Sequence, residues 1–240
     1  MNYSRLLLTL PLATLLIGCS NDSGTGPGGD SGDLATLQAT IDAAAPGATV
    51  RIPAGTWEGR LLVTKNLTIE ADPAAVLVAR SPSGSATDDS AVLVIRNTSG
   101  VVIENAAFDG GVDNGILVRN ASDVTLRNVS ASNNRDHGVV VRESENVVIE
   151  GGTFAGNDDD GIRVRDSSQN VRISGAVLES NAGSGIRVRD SQTVTITGNE
   201  IRANAEYGIR IENSSVVNDA TIADDNQIDQ NVRGGVRRDG

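Results

Sequence analysis

From about residue 92 onward the chain alternates apolar and polar positions in short bursts, and the bursts recur. Four of them read "GILVRNASDVTLRNV", "GVVVRESENVVIEGG", "GIRVRDSSQNVRISG" and "GIRVRDSQTVTITGN". Aligned on their glycine, the repeats begin at Gly115, Gly138, Gly161, Gly185, Gly208 and Gly235, with steps of 23, 23, 24, 23 and 27 residues. An earlier coil starts at Val92 without the glycine. Ile116, Val139, Ile162, Ile186 and Ile209 follow the glycine, and Val118, Val141, Val164, Val188 and Ile211 come two positions later. Period-two alternation in β-branched residues predicts a short strand with one buried face. A second strand is predicted by Val124 and Leu126, Val147 and Ile149, Val171 and Ile173, and Val194 and Ile196. A third apolar column runs Phe108, Ala131, Phe154, Leu178, Ile201 and Ile228, with Ala131 its weak member.

A period near 23 with three short strands per repeat predicts a solenoid of stacked parallel strands, about 4.8 Å apart. The fold class expected is all-β, a right-handed parallel β-helix with an N-terminal capping helix. A leucine-rich repeat is excluded, because Gly115 to Glu212 holds only Leu117, Leu126 and Leu178. A left-handed β-helix steps in hexapeptides, and 23 is not a multiple of six.

The polar positions fall into columns too. Asn134, Asn157, Asn181, Asn204 and Asn231 precede each glycine by four residues, which suits a ladder of stacked amides. Ser144, Ser167, Ser191 and Ser214 are expected to form a second ladder. The glycine column requires either a positive φ or a close backbone approach. Upstream, Leu34, Leu37 and Ile41 share one face of a predicted helix that stops at Pro46-Gly47. That helix is placed to cover the first core layer and its unpaired edge. The strands "TVRIPAG", "RLLVTK", "NLTIEA", "AVLVA" and "AVLVIR" follow it.

The first residues obey a different pattern. Arg5 precedes an apolar run from Leu6 to Gly18, too short to span a bilayer and of signal-peptide length. The run ends in "LIGC", which resembles the lipobox of bacterial lipoproteins. That resemblance implies cleavage before Cys19, lipidation of Cys19 and, from Ser20, an outer-membrane destination in the cell envelope. The plainer alternative is a secretory signal ending in a chance cysteine. Cys19 is the single cysteine, so no disulfide forms. Residues 1–18 are thus expected as signal peptide, and 19–32 as lipidated cysteine and Gly/Ser-rich tether. Residues 33–240 are expected as the β-helix domain.

Composition removes several functions. The formal net charge is -11, which argues against nucleic-acid binding. Aromatics are 2% of residues, so stacking platforms for sugars or bases are scarce. One histidine and no cysteine in the mature fold leave no zinc or copper cluster, and no cofactor is expected. Asp158 to Asp160 offer carboxylates for calcium but no closed set of ligands.

The segment "LQATIDAAAPGATVRIPAGTWEGRLLVTKNLTIEA", with the "GIxVxxSxxVxI" repeats, resembles the right-handed parallel β-helix proteins of the pectate-lyase-like superfold. The resemblance covers about Leu34 to Gly240 and implies the fold. The superfold hosts lyases, hydrolases, epimerases, adhesins and accessory proteins, so function must come from a site.

Two constellations could carry one. Arg96, Arg119, Arg142, Arg165 and Arg189 form an outward column, and Arg163, Arg187 and Arg210 form another two residues earlier. Guanidiniums one coil apart repel by about 1 kcal/mol in water and by several at a surface effective dielectric, so something must offset them. Glu143, Asp166, Asp190 and the turn carboxylates would do so in a solvated salt-bridge ladder. Alternatively the columns bind a chain of carboxylates or sulfates, and resemblance points to an acidic polysaccharide.

The second constellation surrounds the single histidine, His137, in "NNRDHG". It should neighbour Asp160 and Arg163. A lyase or C5-epimerase would use His137 or Tyr207 as base and Arg163 or Arg187 to neutralise a uronate carboxylate. The primary expectation is a non-catalytic, envelope-anchored binding protein; a polysaccharide lyase or epimerase and a structural envelope protein are the alternatives. After Gly235 no cap is visible and Arg238 replaces an inward valine, which leaves two alternatives, a truncated chain or end-to-end pairing with another copy.

Overall fold

The structure is a computed structural model that describes residues 14–15, 32–78, 90–213, 215–217 and 222–239. Cys19, most of the signal and tether, and Ser214 lie outside the described residues. The chain winds as a parallel β-solenoid with three sheets. The first sheet contains the strands that follow the glycine column, from Leu61–Val63 through Ile162–Arg165 to Gly234–Asp239, eight among the described residues. The second sheet also has eight strands, ending at Gln192–Thr197. The third is split into two four-stranded halves.

Strand register follows the predicted columns. Leu93, Ile116, Val139, Ile162, Ile186, Ile209 and Val236 pair in succession along the first sheet. Their alternation puts Ile and Val inside, so one core runs the length of the solenoid. The split in the third sheet falls at the weak member of its column. Ser130 makes only isolated bridges to Ala107 and Thr153, so Ala131 stands between Phe108 and Phe154. Phe108 and Phe154 are the largest fully buried side chains among the described residues, and the small residue between them leaves room for both rings.

The helix Leu34–Ala43 closes the N-terminal end with Leu34, Leu37 and Ile41 buried. Asp33 caps it by accepting the Ala35 N–H at 2.8 Å. The strand Gly55–Glu58, with the buried Trp57, was not among the predicted strands.

The asparagine column is a ladder within the wall. Asn134, Asn157, Asn181 and Asn204 are buried, and each donates its Nδ2 to the Oδ1 of the next, through Asn231, at 2.8–2.9 Å. The same Oδ1 atoms accept backbone N–H groups. Asn181→Ala is therefore expected to destabilise the fold by about 2 kcal/mol, because it strands several buried partners at once. Urea unfolding would measure this; a loss under about 0.5 kcal/mol would show that the backbone alone holds the stack.

The serine column needs correction. Ser144 Oγ accepts from Ala121, Ser168 Oγ from Ser144 and Ser215 Oγ from Ser191, so the ladder is Ser144, Ser168, Ser191, Ser215. Ser167 is exposed instead. The 24-residue coil has room for two successive left-handed residues, Asp166 and Ser167, which shifts the serine by one. A second buried amide pair, Asn199 and Asn226, lines another turn and was missed.

Candidate functional site

The wall between the third and first sheets carries a column one residue before each glycine. It runs Asn114, His137, Asp160, Ser184 and Tyr207, linked by backbone bonds from Gly115 N–H to His137 O, Gly138 to Asp160, Gly161 to Ser184 and Gly185 to Tyr207. Within it, a side chain accepts the backbone N–H of the next coil. Asn114 Oδ1 accepts from His137 at 3.4 Å, His137 Nδ1 from Asp160 at 3.1 Å, and Asp160 Oδ1 from Ser184 at 2.9 Å. His137 thus occupies a slot that an amide or carboxylate fills in neighbouring coils.

The donor at Nδ1 has consequences for the ring. A neutral imidazole has one acceptor nitrogen, and both ring nitrogens face N–H donors, Asp160 N–H at Nδ1 and Arg163 Nη1 at Nε2, so one of the two contacts is a hydrogen bond and the other is not. Burial, followed by the charges of Arg163, Arg165 and Arg187, lowers the His137 pKa to about 3, so the ring is neutral at physiological pH. Nε2 lies 3.0 Å from Arg163 Nη1 and 3.4 Å from Asp136 Oδ1. Asp160 shows the opposite shift. Burial first, then the Asp159 charge, raises its pKa to about 7. Its Oδ2 is buried, has no hydrogen-bond partner, and lies 3.8 Å from His137 Nδ1. Asp159 is also raised, by burial. Asp136, His137 and Asp159 present ligand atoms within 4.8 Å of one another, which is the spacing of a candidate cation site.

Next to this cluster stand the arginine columns. Both register as predicted: Arg96, Arg119, Arg142 and Arg165 pair in succession, as do Arg163, Arg187, Arg210 and Arg237. Most are neutralised from within. Arg119 reaches Glu143 at 3.1 Å, and Arg189 reaches Asp190 at 3.0 Å. Arg142 and Arg165 approach Asp166 at 3.6 Å. The carboxylates after these arginines sit at positive-φ positions, where the chain turns tightly into the second sheet. Arg96 is exposed.

In the other column Arg187 makes a bidentate bond to Glu212 at 2.9 and 3.0 Å. Arg210 bonds Glu212 and Asp239, and Arg237 bonds Asp239. Sequence reasoning missed Glu212 and Asp239. The signal was "GIRIE", where glutamate stands at the column position of Arg189. Arg163 differs from the other three. Its closest carboxylate contact is Asp159 at 3.8 Å, and its buried Nε has no partner.

The structure therefore brings His137, Asp160 and Arg163 together, as expected, with Asp136 and Asp159. It does not bring Tyr207 to them. Tyr207 is three coils from His137, about 14 Å at the strand spacing, so the two do not share one sugar ring.

The repeat geometry defines the class, and comparison with known proteins agrees. The model of the right handed beta helix region family matches residues 90–238, and the chain belongs to that family. No curated protein sequence matches at a significant level. Among solved structures, the chain is similar to a pectate lyase, Pel9A, at 13% identity and TM-score 0.58, covering 84% of this chain and 70% of that one. It is similar to DFA-IIIase from Arthrobacter chlorophenolicus A6 at 14% identity and TM-score 0.59, covering 76% and 59%. It is also similar to the periplasmic alginate epimerase AlgG at 16% identity and TM-score 0.55, covering 85% and 53%. At these identities the likeness shows the fold.

Proposed function

We propose that the chain is a lipid-anchored envelope protein that binds an acidic polysaccharide without modifying it. The observation that carries this reading is Arg163, a guanidinium beside a neutral histidine whose nearest carboxylate, Asp159, is 3.8 Å away. Within its own column Arg187, Arg210 and Arg237 hold carboxylates at 2.6–3.0 Å, which leaves Arg163 the arginine of that column most available to a ligand. Two of the similar folds belong to proteins named for pectate and alginate, both polyuronates, which supports the choice of ligand. The geometry of His137 favours binding over catalysis. A neutral ring has one lone pair, and N–H donors stand at both nitrogens, Asp160 N–H at 3.1 Å from Nδ1 and Arg163 Nη1 at 3.0 Å from Nε2, so no lone pair is left for a base.

The untagged soluble domain is expected to be retained on immobilised alginate or polygalacturonate at low salt, and on dextran not at all. Retention should fall with salt, as contacts between charges are screened. Equal passage over all three matrices would defeat the reading. Accumulation of unsaturated uronate absorbance would instead revive the lyase alternative, and a changed uronate composition by NMR the epimerase. The anchor is tested separately: Cys19→Ser should move the protein from the membrane fraction to the soluble one and abolish fatty-acid labelling.

A further inference from the structure

We infer that Gln38 holds shut an edge of the first sheet that would otherwise add a strand from a second copy of this chain. Leu61–Val63 is the N-terminal edge strand of that sheet, and Ala91–Arg96 pairs with it on the other side. In an extended strand the N–H and C=O of one residue point to the same side, and those of the next residue point to the opposite side. Leu62 therefore turns a donor and an acceptor together away from Ala91–Arg96, and one side chain meets both. The Leu62 N–H donates to Gln38 Oε1 at 2.7 Å, and the Leu62 C=O accepts from Gln38 Nε2 at 3.0 Å. Gln38 lies 24 residues before Leu62, which is one turn of the repeat. The helix Leu34–Ala43 thus stands where the strand of a preceding coil would run, and the Gln38 amide replaces that strand's peptide group.

The amide is fixed in this orientation. Nε2 also donates to Asp42 Oδ1 at 2.8 Å, one helical turn on. Turning the amide over would set its NH2 against the Leu62 N–H and its oxygen against the Asp42 carboxylate. Lys65 ties the chain just past the strand to the same helix, donating to the carbonyls of Asp42 and Ala44 at 2.7 and 2.9 Å. The core does not need these bonds, since Leu34, Leu37 and Ile41 already cover it. Gln38 and Leu62 are both half-buried, so the edge lies near the surface. Backbone groups left open at such an edge pair with an extended chain. A second copy is the occupant that the fold favours. Ala91–Arg96 shows that a strand of this chain pairs with Leu61–Val63 in parallel, and every other strand of the sheet repeats that pairing.

The test removes the amide and keeps the helix. Gln38→Met has similar length and helix propensity but makes neither bond to Leu62. Its far-ultraviolet circular dichroism should match wild type. The Leu62 amide hydrogen should exchange about tenfold faster or more, while the Val63 amide, which faces Ala91–Arg96, keeps its rate. In sedimentation velocity Gln38→Met should associate about tenfold more tightly than wild type, and Leu62 should regain protection as the dimer forms. Gln38→Lys sets a charge at the open edge, so it should expose Leu62 equally and associate no more than wild type. If Gln38→Met does not fold, Gln38→Ala takes its place on the same terms. An unchanged Leu62 rate in both variants overturns the inference. So does an apolar variant that exposes Leu62 without associating more than wild type. Association of Gln38→Lys as tight as that of Gln38→Met would place the contact on another surface, and a dimer in which Leu62 stays unprotected would do the same; either result overturns it.

Discussion

Gly161→Ala is expected to destabilise the protein by about 3 kcal/mol or more, whereas Gly175→Ala should cost about 1 kcal/mol. Both glycines sit at turns, yet they are glycine for different reasons. A Cβ at Gly161 would lie 2.8 Å from the carbonyl oxygen of Gly185 in the next coil and 3.0 Å from the ladder atom Asn181 Nδ2. That carbonyl accepts the Ile162 N–H at 3.0 Å, so coil spacing and the amide ladder would have to open together. Neither neighbour is the free end of a flexible side chain, and a packed wall relaxes poorly. At Gly175 the φ is +66° and the nearest atom to an added Cβ is 3.9 Å away, so alanine there incurs only left-handed strain. Urea unfolding followed by far-ultraviolet circular dichroism would separate the two. Equal losses would show that backbone conformation, and not approach of the next coil, selects the glycine column.

That contrast also marks how far the sequence could be read. The inward columns were legible because a buried β-branched residue recurs at a fixed step whatever its partner. The amide ladder was legible for the same reason, since each asparagine bonds its own kind. The serine ladder was misread by one residue because register in a 24-residue coil depends on where the extra residue is absorbed. Two adjacent left-handed residues take it up at Asp166 and Ser167, and spacing alone does not say so. Gly55–Glu58 was missed because its buried face is a single tryptophan between turn residues.

The site was legible as a neighbourhood and not as chemistry. Placing His137 beside Asp160 and Arg163 required only the repeat. Knowing that Nδ1 accepts a backbone N–H required the column of acceptors from Asn114 to Asp160. The arginine columns show the same limit. Their stacking was evident, but the next positions of the first column are Glu212 and Asp239, which the sequence reading did not use, and they hold Arg187, Arg210 and Arg237. Arg163 stands out only after those pairs are drawn.

The stability of wild-type protein is expected to gain almost no pH dependence from His137 and Asp160 between about pH 4 and 6.5, while each single substitution exposes a steep one. Unfolded, the aspartate titrates near 3.8 and the histidine near 6.5; folded, they titrate near 7 and 3. In that window the unfolded pair holds one proton, on histidine, and the folded pair also holds one, on Asp160. Stability changes with pH only when the two states bind different numbers of protons, so the pair contributes nothing there.

Asp160→Asn leaves the histidine alone. Its folded pKa is depressed, so its contribution is present above pH 6.5 and is lost as pH falls, by about 1.4 kcal/mol per unit. His137→Gln leaves the aspartate alone. Its folded pKa is raised, so its contribution is present below pH 3.8 and is lost as pH rises toward 7, at a similar slope. Neither side chain is exposed enough for solvent to weaken the effect much, at 5% for His137 and 0% for Asp160. Relative to wild type, the two variants should therefore show slopes of opposite sign across pH 4 to 6.5, each amounting to about 3 kcal/mol, and the double variant should be flat again. Urea midpoints at half-unit steps of pH would measure all four proteins. Parallel lines for wild type and Asp160→Asn would mean that the buried carboxyl is ionised in the folded protein, and that Arg163 and Arg187 hold its charge.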